Sequence, residues 1–297
     1  MAKSYVSVIV PAYNDWERLQ FCLQALSAQT YPKELFEVII VNNNPNDSAP
    51  AYLLISENFK IITEGKPGSY SARNAALKIA NGEIIGFTDS DCIPDKNWVT
   101  HAVEHFEKNK DCSRIAGNVT IFTKSSPATI AEKYDSLFAL DQKKYVTNWG
   151  ICVTANLFTY KKVFDSVGLF DDKKMSFGDL NWGSRAHKAG YKIHYLENCI
   201  VKHPARNWAE LIKKEKRLAG GREKNNKDTK KNTIAIYLKF LKEIRPRLRG
   251  EIKSILSKGK NLTYIENFFF LILRIRLQFV RAYETMKIRL GKQPNRE

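Results

Sequence analysis

Two aspartates one residue apart, in the run Phe87-Thr88-Asp89-Ser90-Asp91, are the side chains of this sequence best suited to chemistry. Ionised, they are pure acceptors, and with no basic residue beside them they suit a hard divalent cation that carries phosphate oxygens. An Asp-x-Asp by itself is equally an ordinary solvated turn capped by a carboxylate. What precedes it argues for more. Ile84, Ile85 and Phe87 form a short apolar run that reads as a buried strand. In open α/β sheets, ligands gather just beyond the carboxyl ends of such strands.

The elements that must hold this pair alternate between strand and helix. Residues 5–10 read as a strand closed by Pro11, and Asn14 with Glu17 has the spacing of a helix cap with its reciprocal partner. Leu19, Cys22, Leu23 and Leu26 then recur at i, i+3, i+4 and i+7, a helix with one buried face. A strand at 36–41, a polar turn at 42–47, a short helix at 52–56 and a strand at 60–63 follow. Gly65 to Gly68 make a turn into a helix at 69–80 that turns Ala72, Ala75, Ala76 and Ile79 inward. Four strands joined by helical crossovers predict a parallel, doubly wound α/β sheet covered on both faces. Farther on, helices are expected at 98–108, 128–140, 161–168 and 180–189. Strands are expected at 114–123, 191–196 and 200–202, with a strand and bend over 147–159. The first strand-to-helix turn lacks Gly-x-Gly-x-x-Gly, and there is no Gly-Lys-Ser/Thr phosphate loop.

The 297 residues carry a formal charge of +17, and its distribution is uneven. From Lys202 onward lie 26 of the 48 Lys and Arg but only 9 of the 31 Asp and Glu, so the first 201 residues are neutral. The first residues run straight into a strand with no signal-peptide pattern. No apolar stretch approaches the ~20 residues that span a bilayer; Phe268 to Leu273 is stopped by Arg274. Five widely spaced cysteines form no metal-type cluster and read as buried, reduced thiols of a cytoplasmic protein.

Further motifs accompany Asp89-Ser90-Asp91: Ser7-Val8-Ile9-Val10-Pro11-Ala12-Tyr13-Asn14, Gly68-Ser69-Tyr70-Ser71-Ala72-Arg73-Asn74, and Phe177-Gly178-Asp179-Leu180-Asn181-Trp182 followed by Lys188-Ala189-Gly190-Tyr191. Together they resemble the inverting nucleotide-sugar glycosyltransferases of family 2, which have a GT-A fold, over roughly residues 5–205. The resemblance implies Asp91, with Asp89 and His203, as ligands of Mg²⁺ or Mn²⁺. It implies Pro11, Ala12, Tyr13, Asn14, Asn42, Arg73, Asp89 and Ser90 around the nucleotide, with a UDP-sugar the expected donor. Asp179 aligns with the catalytic base of the family, and it also stands where it would cap the following helix. Three departures from the family pattern stand out: Gly178 replaces the first acid of the usual pair, Asn181 stands where another acid often sits, and Asn42-Asn43-Asn44 replaces an aspartate that reads the base. Trp149, Asn156 and Trp182 are expected on the acceptor side, where aromatic faces pack on sugar rings, although buried core is the competing role.

The expected division is residues 1–98 for the nucleotide-sugar half of the GT-A domain, 99–205 for the acceptor half and 206–297 for a basic helical region. In that region the stretch 220–232 reads as a polar linker, and helices at 234–244 and 262–290 carry apolar residues among Lys and Arg. They suit an anionic membrane surface rather than nucleic acid, for which no motif is visible. The expectation is a metal-dependent enzyme, peripheral on the inner face of the plasma membrane, moving sugar onto a glycan or lipid-linked glycan in cell-surface polysaccharide synthesis. A catalytically silent scaffold and a nucleotidyltransferase are the alternatives.

Overall fold

The structure, a computed structural model, describes residues 4–53, 55–224, 232–246, 248–259 and 262–294. Strand β1 (Val6–Ala12) leads through helix α1 (Trp16–Ser27), β2 (Phe36–Asn42), β3 (Phe59–Thr63) and α2 (Ser69–Ile79) to β4 (Ile84–Phe87). β2 and β4 flank β1, β3 lies outside β2, and all four run parallel. Covered on both faces, β1, β2 and β4 are mostly apolar, and β2 is buried at all seven positions, with the buried Glu37 accepting from the Ser7 hydroxyl. Ile9 pairs with Phe87, so the segments leaving β1 and β4 emerge side by side. That places 11–15 next to 88–91.

The chain continues through β5 (Ile93–Pro94), α3 (Trp98–Lys108), β6 (Cys112–Phe122), α4 (Ile130–Phe138), α5 (Gln142–Trp149), β7 (Leu157–Tyr160), α6 (Lys161–Val167), α7 (Gly178–Lys188) and β8 (Lys192–Pro204). β7 runs antiparallel to both β4 and β6, which converts the parallel half into a mixed eight-stranded sheet of order β3-β2-β1-β4-β7-β6-β8-β5. Several expectations change. Thr147 to Trp149 end a helix rather than begin a strand: the Asp141 carboxylate accepts from the Lys144 N–H at its start, and Gly150 closes it at φ 63°. The strands expected at 191–196 and 200–202 are one strand, β8. Residues 51–53 and 55–56 form no helix, and Leu54 lies outside the described residues. Asn14 is not a cap, because α1 is preceded by Asp15 while Asn14 sits at φ 51°. On α2, Ala72 and Ala76 are buried as expected, joined by Tyr70, Ser71, Arg73, Asn74 and Leu77, whereas Ala75 is only partly buried and Ile79 is exposed.

The chain forms two compact units. One comprises residues 1–120, 140–173 and 178–204; the other comprises 121–139, 174–177 and 205–297. In the second, α8 (Trp208–Lys224), α9 (Thr233–Ile244), α10 (Leu248–Lys258) and α11 (Tyr264–Arg289) join α4. Leu211 of α8 and Leu273 and Leu277 of α11 share a core with Ala131, Ile130 and Tyr134 of α4. α10 was not anticipated, and α8 runs through part of the stretch read as linker; residues 225–231 lie outside the described residues. No described helix is long and apolar enough to cross a membrane.

Three internal clamps fix the first unit around its later helices. The Arg114 guanidinium, wholly buried, donates to the carbonyls of Gly150, Gly183 and Tyr191, tying α7 to the sheet. Trp182 of α7 stacks on Phe164 at 4.4 Å, and its indole N–H donates to the Gly168 carbonyl. Asn156 accepts from the Trp98 indole and donates to the carbonyls of Asn118 and Cys199, all at 2.9 Å. All five cysteines are free and buried. Gly117 packs so closely that a Cβ there would lie 2.3 Å from the Asn156 amide. Replacing Asn156 with Leu strands three buried polar partners, and urea unfolding is expected to show a loss of roughly 3 kcal/mol.

Candidate active site

The adjoining ends of β1 and β4, the start of α2 and the start of α7 bring together four carboxylates and a guanidinium. Arg73 of α2 is only 3% exposed, and its Nη2 lies 2.5 Å from Asp89 Oδ1. Its Nε, also buried, has no hydrogen-bond partner among the described residues. Asp91 turns the other way. Its Oδ2 lies 3.7 Å from His203 Nε2 near the end of β8 and 3.8 Å from Arg18 Nη1 of α1. Arg18 also pairs with Asp15 at 2.6 Å, and the Ser90 hydroxyl donates to the other Asp15 oxygen. Burial raises the Asp15 carboxyl above its ordinary pKa, Asp91 adds to the rise, and the bonds from Arg18 and Ser90 oppose it.

The surroundings of His203 bear on metal binding. Its Nδ1 lies 2.7 Å from the Pro204 carbonyl, an acceptor, which makes Nδ1 the protonated nitrogen. Nε2 is then the ring nitrogen left to face the Asp91 carboxylate, and together the two offer a cation one imidazole and one carboxylate ligand atom. Asp91 and His203 therefore fit a divalent ion. Cys92 lies beside them, its thiol pushed far above the ordinary range by burial and the two aspartates. Asp89 does not join this group, because Arg73 engages it.

At the start of α7, Asp179 Oδ1 accepts from the Tyr70 hydroxyl at 3.1 Å and from the Leu180 N–H at 2.9 Å. Burial lifts its carboxyl above the ordinary value, against the pull of these two bonds and of Arg73. A half-buried carboxylate of raised proton affinity is suited to take a proton near neutral pH.

The remaining expected residues fare unevenly. Ala12 is buried, and its carbonyl accepts from the Asn43 N–H. Pro11 is partly exposed and Tyr13 is 47% exposed, so both can face a ligand. Asn14 accepts from the Asn44 side chain. Asn42 is buried with its amide committed to the turn, donating to the Asp47 carbonyl and accepting from the Asn44 N–H. It builds the loop and offers no free amide edge to a base. Asn156 and Trp182 are core residues, closed to any acceptor. Trp149 is exposed and stacked on Tyr145, but it lines a cleft of about 420 Å³ with His187, eight residues and about 12 Å along α7 from Asp179. Sequence reasoning missed Asp15, Arg18 and Tyr70. Tyr70 and Arg73 stand at i and i+3 on one helix, a spacing that puts both side chains on one face.

The profile described as Glycosyl transferase family 2 matches residues 7–168, more than half of the chain. The chain belongs to that family. Glycosyltransferase AglE of Haloferax volcanii is 36% identical over 222 residues, covering 73% of this chain and 72% of that protein. A Methanococcus voltae protein, named dolichyl N-acetyl-alpha-D-glucosaminyl phosphate 3-beta-D-2,3-diacetamido-2,3-dideoxy-beta-D-glucuronosyltransferase, is 22% identical over 218 residues, 69% of this chain and 68% of its own. In fold, the glycosyltransferase is similar to a mannosyltransferase from Pyrobaculum calidifontis, solved with GDP-Man and Mn²⁺. The TM-score is 0.57 at 16% identity, covering 98% of this chain and 75% of that one. The GT-A architecture expected from the resemblance is the one observed, and the glycosyltransferase is an enzyme that uses a nucleotide-sugar donor.

Within its site, the buried Arg73 balances carboxylates that would otherwise repel. Arg73→Met is expected to cost roughly 2–3 kcal/mol in urea unfolding, and Arg73→Lys to recover only part, since an ammonium lacks the planar fork.

Proposed function

We propose that this enzyme is a metal-dependent, inverting glycosyltransferase that moves one sugar from a nucleotide diphosphate onto a glycan or lipid-linked glycan. The observation that carries the reading is the convergence at neighbouring element ends of the Asp91–His203 pair, the Asp89–Arg73 pair and Asp179. The donor diphosphate is placed at the Asp91–His203 edge. Bound there, a divalent cation would neutralise charge developing on the leaving diphosphate, and the mixed carboxylate–imidazole set suits Mn²⁺ better than Mg²⁺. Asp89 keeps one oxygen on Arg73 and has the other for a ribose hydroxyl.

Asp179 takes the proton of the acceptor hydroxyl. The freed oxygen attacks the anomeric carbon from the face opposite the diphosphate, whose C–O bond breaks, so the configuration inverts. A UDP-sugar remains the proposed donor, with its base resting against Pro11 and Tyr13 rather than on Asn42. GDP-Man, bound by the structural neighbour, is the competing donor. A lipid-linked acceptor is supported by the dolichyl phosphate in the name of the Methanococcus relative.

The C-terminal unit supports docking on an anionic leaflet. Ile234, Leu238 and Leu241 project from α9, and Tyr264, Ile265 and Phe268 from α11, all exposed. Among them lie Lys239, Lys242 and Arg245, which with Arg222 line a cavity of about 820 Å³. Apolar residues flanked by cations are the composition of an interfacial helix. This supports a peripheral position at a membrane.

The test is a melting-temperature panel of UDP, GDP, CDP and dTDP, each with and without Mn²⁺. UDP with Mn²⁺ is expected to raise the melting point by several degrees, because a ligand of the native state stabilises it in proportion to occupancy. Asp91→Ala should remove the metal-dependent part. If no nucleotide shifts the wild type, the reading fails; a shift with GDP alone reassigns the donor.

A further inference from the structure

The family's acidic pair is incomplete here, since Gly178 stands where the first acid is expected. The structure shows what occupies the space. A Cβ on Gly178 would lie 2.6 Å from Tyr70 Cε2 and 2.8 Å from both Cδ2 and Cζ, closer than side-chain carbons approach. The Tyr70 ring is buried, tilted against Phe170 at 5.8 Å, and its hydroxyl reaches Asp179. The helix that carries it is held in turn. Asn74 and Phe170 exchange two hydrogen bonds, through the Asn74 amide and the Phe170 backbone. Ser71 Oγ bonds the carbonyls of Lys66 and Gly68. The phenol therefore has little freedom to point elsewhere.

We propose that Tyr70 is a positioning residue for Asp179, standing in for the absent acid at 178 by fixing the carboxylate rotamer and stabilising its ionised form. The idea rests on the reading of Asp179 as the base. A phenol O–H donated to a carboxylate favours the charged state, whereas a neighbouring acid would disfavour it. The trade therefore works against burial, which pushes the Asp179 proton affinity up. The other groups that act on this carboxyl are Arg73 of α2, which lowers it, and Asp89, which raises it. Tyr145 of α5 and Cys152, both neutral below strongly alkaline pH, also face it. The Tyr70 phenol is itself held protonated far beyond its ordinary range, by burial first and by Asp179 second, so it remains a donor throughout the working range. The Arg73 guanidinium lies 5.8 Å from the Tyr70 ring centroid, which places ring, cation and carboxylate in one assembly.

The experiment reads the carboxyl directly and the reaction separately. Carboxyl ¹³C titration of the full chain, labelled at aspartate and assigned with Asp179→Asn, follows the Asp179 midpoint in wild type and Tyr70→Phe. The phenylalanine keeps the ring against Gly178 and deletes only the hydroxyl. The expected result is an alkaline shift of about one unit, the worth of one hydrogen bond to a charged acceptor. In metal-supplemented transfer assays, the acidic limb of kcat should move by the same amount while donor KM stays within about twofold. Tyr70→Trp, which keeps a ring but moves the donor, should not restore the wild-type limb. An unchanged midpoint and limb in Tyr70→Phe overturn the proposal. If Asp179→Asn still transfers sugar, the base reading fails instead, and the titration then stands alone as a measure of the Tyr70 bond.

Discussion

The Arg73–Asp89 ion pair is the interaction on which the arrangement of this site depends. Asp15, Asp89, Asp91 and Asp179 would repel one another if collected at one edge of a sheet without compensation. A guanidinium withdrawn from solvent, 2.5 Å from Asp89 and close enough to act on Asp179, supplies that compensation from within the fold. Because the cation sits on α2, the register of that helix sets the site. Gly68, at φ 123°, lets the chain enter α2 at the required angle, and Asn43 holds that turn by accepting the Gly68 N–H. Arg18 does the same on the other side, between Asp15 and Asp91. The two aspartates of the Asp-x-Asp therefore face different cations and have different work.

This division explains what was legible in the sequence. Mainly hydrophobic runs of four to seven residues between turns identified β1, β2 and β4, since strands buried on both faces are made largely of apolar side chains. The Asp-x-Asp at the end of β4 followed from that placement. The start of α5 was not legible, because its only signal is the Asp141 cap, and the aromatic and small residues after it match a strand equally well. α10 was hidden for a related reason: a short helix with one buried residue has a weak apolar period. Asn156 and Trp182 looked like ligands because polar and aromatic side chains also serve as internal clamps, and no local pattern separates the two uses. Tyr70 needed the third dimension, since its partner lies 109 residues away.

The contrast between the two units follows from charge. In the neutral first 201 residues, cations and acids are balanced, and two cations, Arg73 and Arg114, are buried on specific carboxylates or carbonyls. In the basic C-terminal helices the acids are the scarce partner. Among the described residues Glu215 is taken up by Arg281, Glu223 and Glu243 by Arg289, Glu251 by Arg274 and Glu284 by Lys287. Lys213, Lys239, Lys242 and Lys253 are exposed to solvent. The same ion-pair chemistry thus builds a precise site in one place and a broadly positive surface in the other.

The five buried thiols have a consequence of a different kind. All five lie among the first 201 residues, every one is free, and none reaches solvent in the folded chain. Burial also holds each of them in the unreactive, protonated form. An alkylating reagent can therefore reach them only when the sheet opens. The rate of cysteine labelling is a built-in clock for that opening, and any ligand that closes the site should slow it without a label having been introduced.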